Sequence, residues 1–231
     1  MEQPRARQNR QDTAAVIPAY NEAKHLAEVV RRTRLELDRV LVVDDGSTDE
    51  TEKEARAAGA EIIVHPENRG KGESIKAGLR HWLERGVTWV VILDGDGQHR
   101  PEEIQRMLSV AENGGAALLI GNRMNDVGSM PLIRRFVNRY MSEKISAVCG
   151  QQVPDTQCGF RMLHRDLIPT VLTGTNRFDY ETEMLFLAGR KGFRIASVPI
   201  TTVYSDEVSS IHPIRDTLRF FKLMQRYRKA Y

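Results

Sequence analysis

At 231 residues, 41% of them hydrophobic, the chain can bury a sizeable core, and one domain with appendages is the expectation. A formal net charge of +3 is too mild to mark a nucleic-acid binder, and Cys149 and Cys158 have neither zinc-ligand spacing nor the density of a secreted scaffold, which fits a reducing cytosol. No apolar run reaches the roughly 18 residues that a membrane span requires, and no signal-peptide core stands near the start. The reading is a cytoplasmic protein, soluble or peripheral on the cytoplasmic membrane face.

Residues 1–12, with Arg5, Arg7 and Arg10, are polar, basic and without periodicity, a tail expected to be disordered. Residues 13–18 (TAAVIP) read as a first strand stopped by Pro18. Asn21 is then expected to cap a helix whose apolar face is Leu26, Val29, Val30, Thr33 and Leu37. Residues 39–43 form a second strand that ends in Asp44 and Asp45. Gly46 makes the turn, and Ser47 with Glu50 has the spacing of a capping box opening the next helix. Residues 61–64 form a third strand, followed by Asn68-Arg69-Gly70-Lys71-Gly72 and a helix with Ile75, Leu79, Trp82 and Leu83 on one side. Residues 89–93 form a fourth strand, ending in Asp94-Gly95-Asp96-Gly97-Gln98-His99. The helix after it bears Ile104, Met107, Leu108 and Ala111, and residues 116–120 form a fifth strand.

Strands separated by single helices at this interval predict βαβ units and a mostly parallel sheet with helices on both faces, the polar loops gathering on one edge. Beyond Arg123 the rhythm breaks. Residues 124–130 read as a loop, 131–149 as a basic helix, 155–161 as a tight polar segment, 180–191 as a helix, 193–203 as a strand, 205–213 as a loop and 214–231 as a last helix.

The stretch around Asp94 and Asp96 organises the rest. A buried strand carries no charge in its middle, but the crevice at its carboxyl end is where open α/β sheets bind ligands. Two carboxylates that close repel unless a cation or proton lies between them, and oxygen ligands on a compact loop suit Mg2+ or Mn2+, with Gln98 as a third oxygen. Gly70 and Gly72 would let backbone N–H groups approach an anion at a helix start, where Lys71 or Arg69 adds charge; an ordinary helix start is the alternative. Arg123 would fork onto a diphosphate or an acceptor phosphate, or form a surface ion pair. The histidines show no metal-ligand spacing, and Cys158 lacks the His and acid partners of a nucleophile.

Together, Ile17-Pro18-Ala19-Tyr20-Asn21-Glu22, Val42-Val43-Asp44-Asp45-Gly46-Ser47-Thr48-Asp49, Asn68-Arg69-Gly70-Lys71-Gly72 and Asp94-Gly95-Asp96-Gly97-Gln98 resemble the family 2 glycosyltransferases of the GT-A fold, over about residues 13–204. Asp155–Arg161 and the helix of Glu183 are similar to the branch that transfers a hexose to a polyprenyl phosphate, the dolichyl-phosphate mannose and glucose synthases and their bacterial relatives. Asp155-Thr156-Gln157-Cys158-Gly159-Phe160 matches the glucosyl members best. The multi-pass bacterial members carry membrane helices after the catalytic domain, and this sequence shows none.

The resemblance implies a Rossmann-like GT-A domain with a nucleotide-sugar half at about 13–123, an acceptor half at about 124–204, and an acceptor loop with an amphipathic helix at 205–231. It implies that Pro18, Tyr20 and Glu22 frame the base and ribose of a UDP-hexose or GDP-mannose, with Asp44 or Asp45 hydrogen-bonding the base. Ser209, Ser210, His212 and Arg215 match the place of the acceptor-phosphate cluster, and Arg161 is grouped with them. If the acceptor were a sugar hydroxyl instead, Asp155, Asp179, Glu181 or Glu183 would be the base, ion pairs with Arg161, Arg177 and Arg190 being the alternative for each. Leu218, Phe221, Met224 and Tyr227 recur among basic residues, which suits an anionic membrane interface or, alternatively, docking on the domain or a dimer partner.

Overall fold

The computed structural model describes residues 11–124, 132–174 and 180–201. In chain order its elements are β1 (Thr13–Ala19), α1 (Ala23–Glu36), β2 (Arg39–Asp44), α2 (Thr51–Ala57), β3 (Glu61–Val64), α3 (Lys71–Glu84), β4 (Trp89–Ile92), a 3-10 turn (Pro101–Glu103), α4 (Ile104–Gly114), β5 (Leu118–Asn122), α5 (Leu132–Cys149), β6 (Arg161–His164), α6 (Ile168–Val171), α7 (Tyr180–Arg190) and β7 (Ile195–Pro199). The basic tail up to residue 10, residues 125–131, Arg177, Asp179 and the loop and helix expected over 205–231 lie outside the described residues.

The strands form one sheet in the order β3-β2-β1-β4-β6-β5-β7. Every residue of β1 is buried, because it lies between two parallel neighbours, Ala14 opposite Arg39 and Val90, and Val16 opposite Leu41 and Ile92. Such a strand must be apolar on both faces, which is why its sequence runs without polar alternation. Helix α3 covers β1 through Ile75, Leu79 and Trp82, all at most 1% exposed, and the indole N–H of Trp82 donates to the Ala15 carbonyl at 3.0 Å. Burying side chains of this size stabilises by about 1.5–3 kcal/mol each.

The expected parallel sheet is present with one exception. β6 pairs antiparallel with both β4 and β5, placing Arg161 opposite Ile92 and Ile120. A strand that runs backwards begins where its neighbours end, so residues 155–160 are delivered to the edge on which the loops after β1, β2, β4 and β5 gather. Leu163 and Met162 are buried between two sheet neighbours, and a run of only four residues gives no periodic signal to find it by. Two other limits shifted: β5 spans Leu118–Asn122 rather than 116–120, and β7 spans Ile195–Pro199 within the longer expected run. Asp12, placed in the expected tail, is held instead: its carbonyl accepts N–H groups of Thr88 and Trp89 at 2.9 and 3.1 Å.

Candidate active site

The turns after β1 and β2 are laced together. Asn21 has φ 55, a left-handed conformation that asparagine tolerates. Its N–H donates to Ser47 Oγ at 2.9 Å, and the Thr48 N–H donates to Asn21 Oδ1 at 2.9 Å. The expected cap of α1 by Asn21 is therefore replaced by a cap from the neighbouring turn. Glu22 N–H donates to Thr51 Oγ1 at 2.9 Å, and Ala23 N–H donates to Asp49 Oδ2 at 3.2 Å. Nor does the capping box of Ser47 with Glu50 form, since Ser47 is taken by Asn21 and the Thr51 N–H donates to Asp49 Oδ1 at 3.0 Å. Pro18 is buried, Glu22 half-buried, and Tyr20 remains 47% exposed, its ring open to a flat ligand. Asp44 is buried, and its Oδ1 accepts the Ser47 N–H at 3.0 Å.

Asp45 faces inward. Its carboxylate accepts the N–H groups of Arg69 at 3.0 Å and Gly70 at 2.7 Å, and stands 2.8 Å from Nδ1 of the buried His65. Burial alone would raise this carboxyl, but the His65, Arg69 and Gly70 donors outweigh it and hold it below the usual carboxylate range. The Gly70 amide, expected to approach a substrate anion, is thus given to a carboxylate of the protein itself. By helix geometry the first-turn N–H groups of Lys71 and Gly72 are left without intrahelical acceptors. Glu73 and Ser74 already donate to the Gly70 carbonyl.

At the end of β4 the charges converge. Lys71 Nζ lies 2.6 Å from Asp94 Oδ1 and 3.2 Å from Glu181 Oε2, and His99 Nε2 lies 3.7 Å from Asp94 Oδ2. Burial would raise Asp94, but Lys71 and His99 prevail and drive it well below the carboxylate range. Lys71 is raised above its ordinary value because Asp94 and Glu181 outweigh burial. Asp96 shifts the other way, raised first by burial and then by the charge on Asp94. Its Oδ1 accepts the Gln98 N–H at 2.9 Å. Gly159 keeps the site open: a Cβ there would stand 2.6 Å from Asp94 Oδ2 and 3.3 Å from Glu181 Oε1. His99 stacks on Phe160 with ring centroids 5.5 Å apart, lining the site.

These residues fit a divalent cation that shares its ligands with a substrate. Among the described residues no group of three or more His, Cys, Asp or Glu side chains is arranged to hold a metal. Mg2+-like ions, however, commonly take one or two carboxylates and complete their shell with water and substrate phosphates. Asp96, a carboxyl raised by burial and by the charge on Asp94, would be such a ligand, with Asp94 and Gln98 beside it.

The acceptor side is held by buried ion pairing. Arg123 grips Asp155 with two side-chain bonds, Nε to Oδ2 at 2.7 Å and Nη2 to Oδ1 at 2.9 Å, and adds its backbone N–H at 3.1 Å. Both residues are at most 6% exposed. Arg123 is therefore not a surface pair, and both Asp155 oxygens are occupied. Arg161, grouped with the acceptor residues by the sequence, is 1% exposed and spends its guanidinium on backbone carbonyls, those of Cys158 and Thr156 at 3.0 Å each and that of Glu181. It ties the 155–160 segment to α7. Glu183 is also buried. The Cys158 thiol is pushed up to about 12 by burial, so it is no nucleophile. Ser209, Ser210, His212 and Arg215 lie outside the described residues.

Sequence reasoning missed His65 and the pairing of Lys71 with Asp94. His65 was findable, since it directly follows β3 on the ligand-binding edge. The Lys71 contact spans the sheet and has no local signal.

This α/β architecture, with its carboxylates at the end of β4, is that of the GT-A glycosyltransferases. Residues 14–172 match the family described as glycosyl transferase family 2, and the chain belongs to that family. It is 32% identical over 219 residues to the glycosyltransferase AglJ of Haloferax volcanii, covering 92% of this chain and 70% of that protein. It is also 32% identical over 201 residues to the undecaprenyl-phosphate mannosyltransferase of Micrococcus luteus, covering 81% and 82%. The fold is shared with glucosyl-3-phosphoglycerate synthase of Mycobacterium tuberculosis, crystallised with Mn2+, uridine diphosphate and phosphoglyceric acid. The TM-score is 0.72 at 20% identity, over 98% of this chain and 80% of that one.

Proposed function

We propose that the protein is an inverting hexosyltransferase that moves a hexose from a nucleotide sugar to a polyprenyl phosphate at a membrane surface, using Mg2+ or Mn2+. The observation that carries the reading is the placement of Asp94 and Asp96 just past β4, with Lys71 Nζ 2.6 Å from Asp94, on the edge that also receives the Tyr20 and Asp44 turns. Relatives named for transfer to undecaprenyl and dolichyl phosphates support the acceptor class.

In this reading Tyr20 offers its ring to the base, with Pro18, Glu22 and Asp44 around the nucleoside. Asp96, with Asp94 and Gln98, would hold the divalent ion, whose chemistry is to neutralise charge growing on the departing diphosphate. Lys71 reaches the same diphosphate as a mobile ammonium, exchanging its contact with Asp94 for phosphate oxygens, while the N–H groups of Lys71 and Gly72 face the anion at the start of α3. The acceptor attacks the anomeric carbon from the opposite face through an oxocarbenium-like state. A phosphate monoester has its second ionisation near pH ~6, so it is nucleophilic at neutral pH without a general base. The Arg123 and Asp155 pair and Arg161 then serve to position the acceptor wall; Ser209, Ser210, His212 and Arg215 are proposed for the acceptor phosphate.

Helix α5 suits a membrane surface. Phe136, Val137 and Tyr140 are exposed on it, beside Arg135, Arg139 and Lys144. No helix among the described residues is long and apolar enough to cross a membrane. The structural similarity to a phosphoglycerate-glucosylating enzyme favours a second reading, transfer to a small phosphorylated acceptor.

The test is incubation with Mn2+ and radiolabelled UDP-glucose or GDP-mannose, with and without a short-chain polyprenyl phosphate. Label entering the organic phase only with the lipid is the expected result. Label passing to a water-soluble acceptor such as phosphoglycerate would overturn the lipid reading.

A further inference from the structure

We propose that Asp45 and His65 are positioning residues for the donor diphosphate, acting through the backbone of Arg69 and Gly70. The inference rests on the reading of this edge as a nucleotide-sugar site. Between the end of β3 at Val64 and the start of α3 at Lys71 the chain has no regular structure. That span is gathered around a single carboxylate: Asp45 takes His65 Nδ1 from its first residue, at 2.8 Å, and the N–H groups of Arg69 and Gly70 from its end, at 3.0 and 2.7 Å.

The approach is close enough to dictate the residue next door. Gly46 has φ 74, and a Cβ there would stand 2.6 Å from the Glu67 carbonyl carbon, so the span is pressed directly against the turn that carries Asp45. Where Gly70 is held decides where the next two residues stand. Those two are Lys71, whose ammonium reaches Asp94, and Gly72, whose N–H with that of Lys71 opens α3. A hydrogen bond at His65 is thereby converted into the placement of the groups that meet the leaving diphosphate.

With His65 Nδ1 and the N–H groups of Arg69 and Gly70 on its oxygens, the Asp45 carboxylate is committed to the 65–70 span.

The experiment compares His65→Leu, which removes the donor at similar size, with His65→Asn, which returns an N–H near the place of Nδ1. Dissociation constants for UDP and GDP with Mn2+ are measured by calorimetry, and exchange of the Arg69 and Gly70 amides is followed by NMR in the ligand-free protein. His65→Leu is expected to weaken nucleoside diphosphate binding about tenfold and to speed exchange of both amides by a similar factor, the loss of one hydrogen bond to a charged group. His65→Asn is expected to recover most of both. Unchanged exchange, faster exchange with unchanged affinity, or a loss that asparagine does not rescue would each overturn the positioning role. Wild-type protein that binds neither nucleotide would overturn the nucleotide-sugar reading together with it, whereas wild-type binding left untouched by His65→Leu would overturn the positioning role alone. If the leucine variant does not fold, His65→Ala takes its place in the same comparison.

Discussion

Asp96→Asn is expected to lower the rate of hexose transfer about 10^3-fold while leaving the protein folded and slightly more stable without metal. The two halves of this expectation have one cause. Burial and the charge on Asp94 raise the Asp96 carboxyl, so the ionised side chain costs free energy in the metal-free protein, and a neutral amide removes that cost. The same unrelieved charge is what would attract the cation. A cation and its ligands contribute several kcal/mol to stabilising a leaving diphosphate, and ~4 kcal/mol corresponds to about 10^3 in rate. Thermal melting checks the pairing directly. Mn2+ with UDP is expected to raise the melting temperature of the wild type and not that of Asp96→Asn. Retained transfer in the variant would remove Asp96 from the reaction.

Breaking the Arg123 and Asp155 pair is expected to have the largest effect on stability. Asp155 is fully buried, and both of its oxygens are met by Arg123 side-chain donors. Removing one partner leaves the other charge buried and uncompensated, which costs about 3–5 kcal/mol. Asp155→Ala should therefore shift the urea midpoint to much lower denaturant. Arg123→Met combined with Asp155→Leu should recover part of the loss, because the two isolated charges are gone together. An unfolding free energy for Asp155→Ala within ~1 kcal/mol of wild type, the range of an exposed pair, would show that the pair is solvated in solution. Transfer should fall in all of these variants, since Arg123 directly follows β5 and Asp155 begins the segment that lines the Asp94 site.

The parallel half of the fold was legible because its signals are local. Apolar runs such as Val40–Val43, stopped by Asp44 and Asp45 and followed by a helix-spaced stretch, announce both a strand and the edge on which its loop falls. That logic brought Tyr20, Asp45, Lys71 and Asp94 to one edge without any contact being known. The insertion of β6 between β4 and β5 was not legible, since a reversed strand of four residues carries no mark of its direction. Pairings across the chain were invisible for a related reason. Lys71 with Asp94, Arg123 with Asp155 and Asp45 with His65 each join residues at least 20 positions apart. Nothing in the spacing of such residues distinguishes a partner from a ligand. Asp45 illustrates the consequence, for a carboxylate at a strand end gives no sign of the donors that the 65–70 span brings to it. The capping of α1 by Asp49 and Thr51 of the next turn is the same lesson at smaller scale.

A cation and a nucleoside diphosphate are expected to meet at the end of β4. A crystal structure of the protein with Mn2+ and UDP or GDP tests it most directly. The expected result is an ion bound by Asp96 and the diphosphate oxygens, with Lys71 Nζ drawn from Asp94 onto the phosphates. An ion bound away from Asp94 and Asp96, or a diphosphate seated elsewhere while Lys71 stays on Asp94, would contradict it.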